Sequence, residues 1–323
     1  MNSGGIAPPR LHSAGRMTVW AALLCVWIVW GSTYLGTAVT VESIEPLLGS
    51  GLRFLVAGVL LTVILTLTRG PRHLLIPRRE AIHALLLGVG LLGAGVGTVA
   101  AASRYVPTGV EALLFAATAV FAIIIRTLAR DRPARLTVLG VIIGLAGLAF
   151  ILLPGGTTPV SGGPLDVVLW SAAIVACSAL WALMSWLSPR IDAPRDPWVM
   201  TTYQLLGAGV ALSSLGLIIG ERVDVSAVSS RTWVAFVYLV VIGSLGAYTA
   251  FVWLLDNAPL SLVSTYAYVN PVVAVVLGAL LHQEGVTLDV VVGCTVVVGS
   301  VALVITGENR ARARLSVSAP PRA

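Results

Sequence analysis

Hydrophobic residues run in long blocks along the chain, and short clusters of charged, proline and glycine residues separate the blocks. A helix needs about 20 apolar residues to cross the hydrocarbon core of a bilayer. Blocks of this length are residues 18–38, 46–68, 80–102, 107–128, 135–153, 165–187, 198–219, 232–255, 259–281 and 286–306. The pattern predicts an all-α integral membrane protein with ten transmembrane helices.

The composition supports the same class. Of the 323 residues, 57% are hydrophobic and 11% are charged, whereas soluble globular domains carry about 25% charged residues. The three cysteines all fall inside apolar blocks, at spacings that match no metal or redox motif, so they are expected to pack as small apolar residues. No cofactor is expected, and the lipid bilayer is the predicted surrounding.

The basic residues indicate the orientation. All 20 are arginines. With a cytoplasmic N-terminus, 16 of them fall in the tails and inner connections and three in the outer connections. Because positive residues are retained on the cytoplasmic side, both termini are predicted to be cytoplasmic. The basic charge then acts as a topology signal, and nucleic acid is not expected as a partner.

The connections also divide the chain into domains. Residues 1–17 are predicted to form a cytoplasmic tail, 18–153 a first unit of five spans, 154–164 an uncharged extracytoplasmic linker rich in glycine and proline, 165–306 a second unit of five spans, and 307–323 a second cytoplasmic tail. The linker falls at the midpoint, which is where two halves would join.

The two halves resemble each other at a nearly constant offset. RFLVAGV at 53–59 corresponds to QLLGAGV at 204–210, 151 residues later, and Gly90 corresponds to Gly243, 153 residues later. A repeat with an odd number of spans places its second copy upside down in the membrane. The sequence therefore predicts two inverted five-helix repeats around a central cavity, an architecture of secondary transporters.

Three motifs resemble a known family. They are WGSTY at 30–34, LRFL at 52–55 and YAYVNPVVA at 266–274. Together they resemble the EamA-type members of the drug/metabolite transporter superfamily, over the chain from about Trp20 to Gly307. The resemblance implies a ten-helix bundle with a central cavity that exports small metabolites or drugs across the bacterial inner membrane.

The ninth predicted span is unusually polar for a lipid-facing helix. Tyr266 and Asn270 are four residues apart and share one helix face, and Pro271 interrupts the hydrogen-bond ladder. Aromatic hydroxyls with an amide suit a cavity that binds amphipathic organic molecules. The alternative is a purely structural kink.

A stripe of aromatic and hydroxyl residues in the first span points to the same cavity. Trp30 and Tyr34 lie on this stripe with Thr33 beside them, and Trp181 is the repeat mate of Trp30. Trp30 lies near mid-depth, although tryptophans also anchor helices at the membrane interface. With Tyr248 of the eighth span, these residues are predicted to bind substrate.

Among the charged residues that fall within the apolar blocks, Arg53 and Glu111 stand out, because charges inside a membrane span are expensive and usually functional. Arg53 either sets the charge preference of the cavity or extends to the outer headgroups. Glu111 either takes up and releases the coupling proton or forms a rim ion pair with Arg104. Both are predicted substrate-site residues.

Glycines and a proline are candidate hinges. Gly93 of the third span and Gly246 of the eighth are repeat mates, and Pro271 is the third candidate. The glycines equally suit close helix packing. Rocking of one repeat against the other about these positions is the predicted motion.

The leading functional hypothesis is a secondary active exporter of amino-acid-like metabolites or amphipathic drugs, which works by alternating access. A lipid-carrier flippase is the alternative. A membrane-embedded enzyme is less favoured, because the sequence contains no catalytic constellation and no nucleotide-binding motif. A small-molecule substrate is the expected partner, with a coupling proton and a homodimer left open.

Overall fold

The computed structural model describes residues 15–102, 104–106, 111, 114–131, 133–152, 162–273 and 288–318. Within these ranges it describes all side chains except those of residues 34, 35, 38, 151, 152, 289, 290, 294 and 312–318. Every secondary-structure element in the described ranges is a helix. The all-α class predicted from the sequence is therefore confirmed for this part of the chain.

The helices are labelled in chain order. They are α1 Arg16–Val41, α2 Pro46–Arg69, α3 Arg78–Ala102, α4 Thr118–Leu128, α5 Arg135–Leu152, α6 Pro164–Leu187, α7 Pro197–Ile218, α8 Ser230–Asn257, α9 (Leu260–Val263 and 266–273) and α10 Leu288–Ser318. Short 3₁₀ helices occupy Pro71–Leu74 and Ser188–Arg190. Seven of the described helices, all except α4, α5 and α9, are long and apolar enough to cross a membrane.

Local sequence signals set the ends of several helices. Proline occupies the first turn of α2, α6 and α7, where its missing N–H has no helical acceptor. The carboxylate of Asp196 caps α7 by accepting a hydrogen bond from the Trp198 N–H at 2.8 Å. At the start of α2, Glu221 accepts one from the Leu48 N–H at 2.6 Å, a favourable place for a negative charge.

Three predicted spans differ from the structure. In the fourth, the chain turns at Ala116 and Ala117 before α4 begins at Thr118. The chain turns at Ser264 and Thr265 and is helical again over 266–273, so the interruption of α9 precedes Pro271 by more than a turn. In the tenth span, α10 continues to Ser318, well past the predicted end at residue 306.

The two most extensive helix–helix contacts in the described part of the chain each join equivalent helices of the two halves. In one contact α2 packs on α7, and in another α5 packs on α10. Glycines permit the close approach of α2 and α7. A Cβ atom on Gly51 would lie 2.5 Å from the backbone N of Ser213, and one on Gly209 would lie 2.7 Å from the backbone N of Leu55. Small residues at such crossings let helix backbones meet.

The third helix of each half contains a π-helical segment, over Val89–Val96 in α3 and Leu239–Ala247 in α8. The first of these packs on α6 and α7, and the second packs on α1 and α2. Helices of each half therefore pack against the π-helical segment of the other half. This exchange supports the repeat that the sequence predicts, and π-helical turns are frequent at functional sites.

Polar contacts identify the two ends of the bundle. At the end called here the Glu45 end, Glu45 forms an ion pair with Arg104. At the opposite end, called the Arg69 end, Arg69 binds Asp196 at 2.5 Å and His73 binds the same carboxylate at 2.9 Å. These contacts join loops that the sequence assigns to the same side of the membrane.

The Arg69 end also contains a buried ionic network, called here the Arg126 network. Arg126 donates to Glu308 at 2.7 Å, to Asp131 at 2.9 Å and to the hydroxyl of Ser261 at 2.5 Å. The side chains of Arg126 and Glu308 are only 8% and 6% exposed. The network ties the end of α4 to the start of α9 and to α10.

Candidate functional site

A cavity of about 300 Å³ lies among the mid-span residues of helices from both halves. Its lining comes from α1, α2, α3, α6, α8 and α9, and from Glu111 and Phe115 ahead of α4. The lining residues are Trp30, Thr33, Thr37, Val41, Arg53, Phe54, Leu92, Gly95, Val96, Val99, Ala100, Glu111, Phe115, Trp181, Gly243, Ser244, Tyr248, Tyr266 and Asn270. The volume is at the lower end of the range for small-molecule sites, about 300–1,000 Å³.

An aromatic layer forms part of this lining and of its support. It consists of Trp30, Trp181, Tyr248, Phe251 and Tyr266. The ring centroid of Trp30 lies 5.0 Å from that of Tyr266, 5.1 Å from Phe251, 6.0 Å from Trp181 and 6.4 Å from Tyr248. These separations are favourable for aromatic pairs. The layer brings four helices together at mid-depth, and the cavity extends from it toward Val41, Ala100 and the Glu45 end.

Arg53 extends from α2 toward the π-helical segment of α8. Its Nε donates to the hydroxyl of Ser244 at 2.9 Å. Gly243 leaves room for the guanidinium, because a Cβ atom there would lie 3.0 Å from Nη2 of Arg53 and 3.1 Å from Cγ2 of Thr33. The side chain of Arg53 is therefore directed across the bundle. It does not extend to the outer lipid headgroups in this conformation, which was the alternative weighed from the sequence.

Glu111 is the acidic side chain among the described lining residues, and it is 2% exposed. Its Oε1 has no hydrogen-bond partner in the described part of the chain. The rim ion pair weighed for Glu111 is not what the structure shows, because Arg104 pairs with Glu45. A buried carboxylate oxygen without a partner is costly, which favours a ligand or a proton at this position.

Two more polar groups of the aromatic layer are buried without a hydrogen-bond partner among the described residues. The Nε1 of Trp181 and the hydroxyl of Tyr248 are buried and form no hydrogen bond to a described residue. Buried polar atoms normally have partners. Both residues line the cavity, so these groups are candidates for contact with a substrate.

Asn270 joins α9 to α1. With its amide nitrogen toward the two carbonyls, Asn270 donates to Tyr266 O and to Trp27 O, each at 3.1 Å. One turn earlier, Trp27 Nε1 donates to Thr265 Oγ1 at 3.1 Å. These bonds satisfy polar groups around the turn in α9, so a structural role accompanies any contact of Asn270 with substrate.

The structure brings together eight of the nine residues that the sequence predicts for substrate binding. These are Trp30, Thr33, Arg53, Glu111, Trp181, Tyr248, Tyr266 and Asn270. The ninth, Tyr34, lies on α1, and its side chain is outside the described residues. That they bind substrate stays a prediction.

The hinge candidates lie near this site. Gly93 and Gly246 occupy the π-helical segments of α3 and α8, while Pro271 lies within the helical stretch 266–273. A Cβ atom on Gly93 or Gly246 would meet only its own helix, at 3.7 Å or more among the described atoms. Close packing therefore does not explain either glycine here, and their hinge role stays a prediction.

Sequence reasoning missed Phe115 and Ser244. A single phenylalanine in an apolar block looks like ordinary packing. Ser244 carried a usable signal, because its position in the first repeat is Leu91. A hydroxyl in one half opposite an apolar residue in the other marks a place where the two halves differ in chemistry.

Repeated helical units around a cavity with buried charges and aromatic rings define the class of multi-pass membrane transporters. Within this class, the chain belongs to the EamA-like transporter family, whose family model matches residues 17–153 and 168–306. The resemblance stated from the motifs is thereby confirmed, and the two matched segments are the two repeats.

Relatives with similar sequences support the same class. The chain is 36% identical over 294 residues to the uncharacterized inner membrane transporter YedA of Escherichia coli (strain K12), covering 90% of this chain and 92% of YedA. It is 25% identical over 294 residues to the uncharacterized transporter YoaV of Bacillus subtilis (strain 168), covering 86% and 94%. A solved crystal structure shares the fold, with a TM-score of 0.76 at 22% identity over 92% of this chain and 99% of that one.

Proposed function

We propose that this transporter is a secondary active exporter of small amino-acid-like metabolites or amphipathic drugs, and that it works by alternating access. The observation that carries the proposal is the cavity itself. Helices of both repeats line it, aromatic rings form a layer across it, and buried polar atoms without described partners face it. Such a site suits an organic molecule that has both apolar and polar parts.

The proposed motion uses the repeat. Ten transmembrane helices in two inverted halves would rock about the cavity, with Gly93, Gly246 and Pro271 as hinges. The exchange of the two π-helical segments between halves supports this motion, because each half contacts the cavity wall of the other. In the described conformation the lining extends toward the Glu45 end, while the Arg126 network joins helices at the opposite end.

The membrane orientation completes the proposal. The arginine distribution supports cytoplasmic termini, so the Glu45 end would face outward and the cavity would be open toward the outside. The direction of export rests on the family resemblance. The expected location is the bacterial inner membrane, as in the description of YedA.

Glu111 is the proposed coupling residue. It is buried beside the cavity and has an oxygen without a described partner. A carboxyl group in this position can exchange a proton with the outer side when the cavity is open and with the inner side after rocking. Proton release and uptake would then drive substrate movement.

Transport in proteoliposomes tests both the function and the coupling. Uptake and efflux are measured across a panel of amino acids and amphipathic drugs, with and without a pH gradient. The wild-type protein is expected to transport at least one member, and the pH gradient is expected to accelerate it. Glu111→Gln is expected to abolish the effect of the gradient, because the amide cannot carry the proton.

Glu42→Gln is the matched control, since Glu42 is an exposed carboxylate at the same end of the bundle. It should respond to the gradient as the wild type does. An equal response of Glu111→Gln would refute proton coupling through Glu111. Failure to transport any panel member, with movement of a lipid carrier instead, would favour the flippase alternative.

A further inference from the structure

Arg53 is a charged group in the membrane interior that no described carboxylate neutralises. The ion pairs among the described residues do not include it, and its described hydrogen bond goes to the neutral hydroxyl of Ser244. A guanidinium at such a position is expensive unless an anion accompanies it. The chain itself does not supply that anion within the described residues.

The geometry leaves the outer edge of the guanidinium available. Ser244 accepts from Nε, the Phe54 ring centroid lies 5.2 Å from Cζ, and neither Nη1 nor Nη2 has a hydrogen-bond partner among the described residues. The Nη1 and Nη2 groups can therefore donate to a ligand. Paired arginine nitrogens match the two oxygens of a carboxylate in a bidentate contact.

The charges around the cavity narrow the class of anion. Of the described lining residues, Arg53 is basic and Glu111 is acidic. A phosphate dianion would place two negative charges near one arginine and one carboxyl group. A carboxylate carries one negative charge, which a single arginine balances, so the lining favours a monoanion.

The two halves differ at this position. The repeat mate of Arg53 is Gln204, which is neutral and fully buried. The repeat mate of Ser244 is Leu91, which cannot form a hydrogen bond with its side chain. The second half therefore cannot duplicate the arginine–serine pair, which makes the cavity lining asymmetric.

From these observations we infer that Arg53 is an anion subsite and that the transported molecule carries a carboxylate. Ser244 is a positioning residue that orients the guanidinium through Nε, and Gly243 provides the space for it. The inference rests on the proposed transport function and deepens it, because it names the chemical group that the substrate must contain.

Matched pairs of an acid and its amide test this inference. Proteoliposomes with the intact chain are assayed for L-leucine against L-leucinamide and for L-tryptophan against L-tryptophanamide. The readout is the acid-to-amide ratio of kcat/KM. A hydrogen bond to a charged group contributes about 1.5–3 kcal/mol, so loss of the contact is expected to lower the ratio by about 10- to 150-fold in Arg53→Gln.

The positioning role of Ser244 has its own readout. Ser244→Ala is expected to raise KM for the acid by about 10-fold with a smaller change for the amide. Ser244→Thr, which keeps the hydroxyl, should restore KM to within about threefold. Arg222→Gln removes an exposed arginine at the Glu45 end and should leave the ratio unchanged.

The outcomes separate this inference from the general function. Equal transport of acids and amides by the wild type, or an unchanged ratio in Arg53→Gln, would overturn the anion subsite while transport itself stands. No rescue by Ser244→Thr would overturn the positioning role. If the wild type transports neither acids nor amides but does transport a neutral or cationic drug, the carboxylate requirement is also overturned.

Discussion

Two arginines in the described part of the chain lie among the helices, Arg126 buried and Arg53 half-buried, and their hydrogen-bond partners differ. Arg126 donates to two carboxylates and a hydroxyl, all supplied by the chain. Arg53 donates to one hydroxyl and faces a cavity. The first arginine has the partners that a structural role requires. The second has one hydroxyl acceptor and no carboxylate partner among the described residues.

The acidic residues show the same contrast. Glu308 is buried at the Arg69 end and accepts its hydrogen bond from Arg126. Glu111 is buried as deeply, but its Oε1 has no described partner. Burial alone therefore does not distinguish a structural charge from a functional one. The two glutamates differ instead in whether a described residue of opposite charge binds them.

Removal of Arg126 is expected to have the largest effect on stability. Arg126→Met leaves the buried carboxylate of Glu308 without its partner, which typically costs about 3–5 kcal/mol. The apparent Tm of the purified protein in detergent micelles measures the loss. The double variant Arg126→Met/Glu308→Leu removes both charges and should recover much of it. Equal instability of the single and double variants would contradict the role of the ion pair.

Removal of Arg53 is expected to change the stability of the protein much less than removal of Arg126, and to raise it slightly if at all. Arg53→Gln places in the first half the residue that Gln204 provides in the second half, and it removes a charge without a described counter-ion. The free energy of unfolding should stay the same or rise by up to about 1 kcal/mol, as when a strained functional group is removed. The same Tm assay measures it. A loss as large as that of Arg126→Met would show that Arg53 is a structural charge.

Much of this arrangement could be predicted from the sequence. The bounds of α2, α3, α6 and α7 lie within two residues of the predicted spans, because prolines and arginines mark where apolar blocks meet water. The cavity residues were predictable because Trp30, Tyr266 and Arg53 are polar or aromatic at mid-span, where lipid contact gives them no advantage.

Other features depend on contacts that a sequence does not display. The partners Arg126 and Glu308 are 182 residues apart in the sequence. The residues around each of them do not indicate that the two side chains form an ion pair. The ion pair of Arg104 with Glu45 could not be distinguished from the Glu111 alternative for a similar reason, since both glutamates are close to predicted span ends. The π-helical segments were also missed, because one residue more per turn leaves no clear mark in a run of glycines and aliphatic residues.

A third set of charges lies at the surface, where removal of a charge is expected to have the smallest effect on stability. Asp196 binds Arg69 and His73 at the Arg69 end, and its side chain is 26% exposed. Burial acts to raise the pKa of Asp196, but hydrogen bonds from His73 and the Trp198 N–H, with the charge of Arg69, lower the pKa below its usual value. Exposed ion pairs contribute about 0–1 kcal/mol.

Asp196→Asn is the test of this third set, because asparagine keeps the helix cap and removes the charge. At neutral pH the variant should lose no more than about 1 kcal/mol. A lowered carboxyl pKa stabilises the folded state above the usual pKa and ceases to do so as the pH falls through the folded value. Variant and wild type should therefore converge in apparent Tm between about pH 4 and pH 2. A constant difference in apparent Tm across this range would show that the charge of Asp196 does not contribute to stability. The expected order of stability effects, which places exposed ion pairs below buried ones, would then be wrong for Asp196.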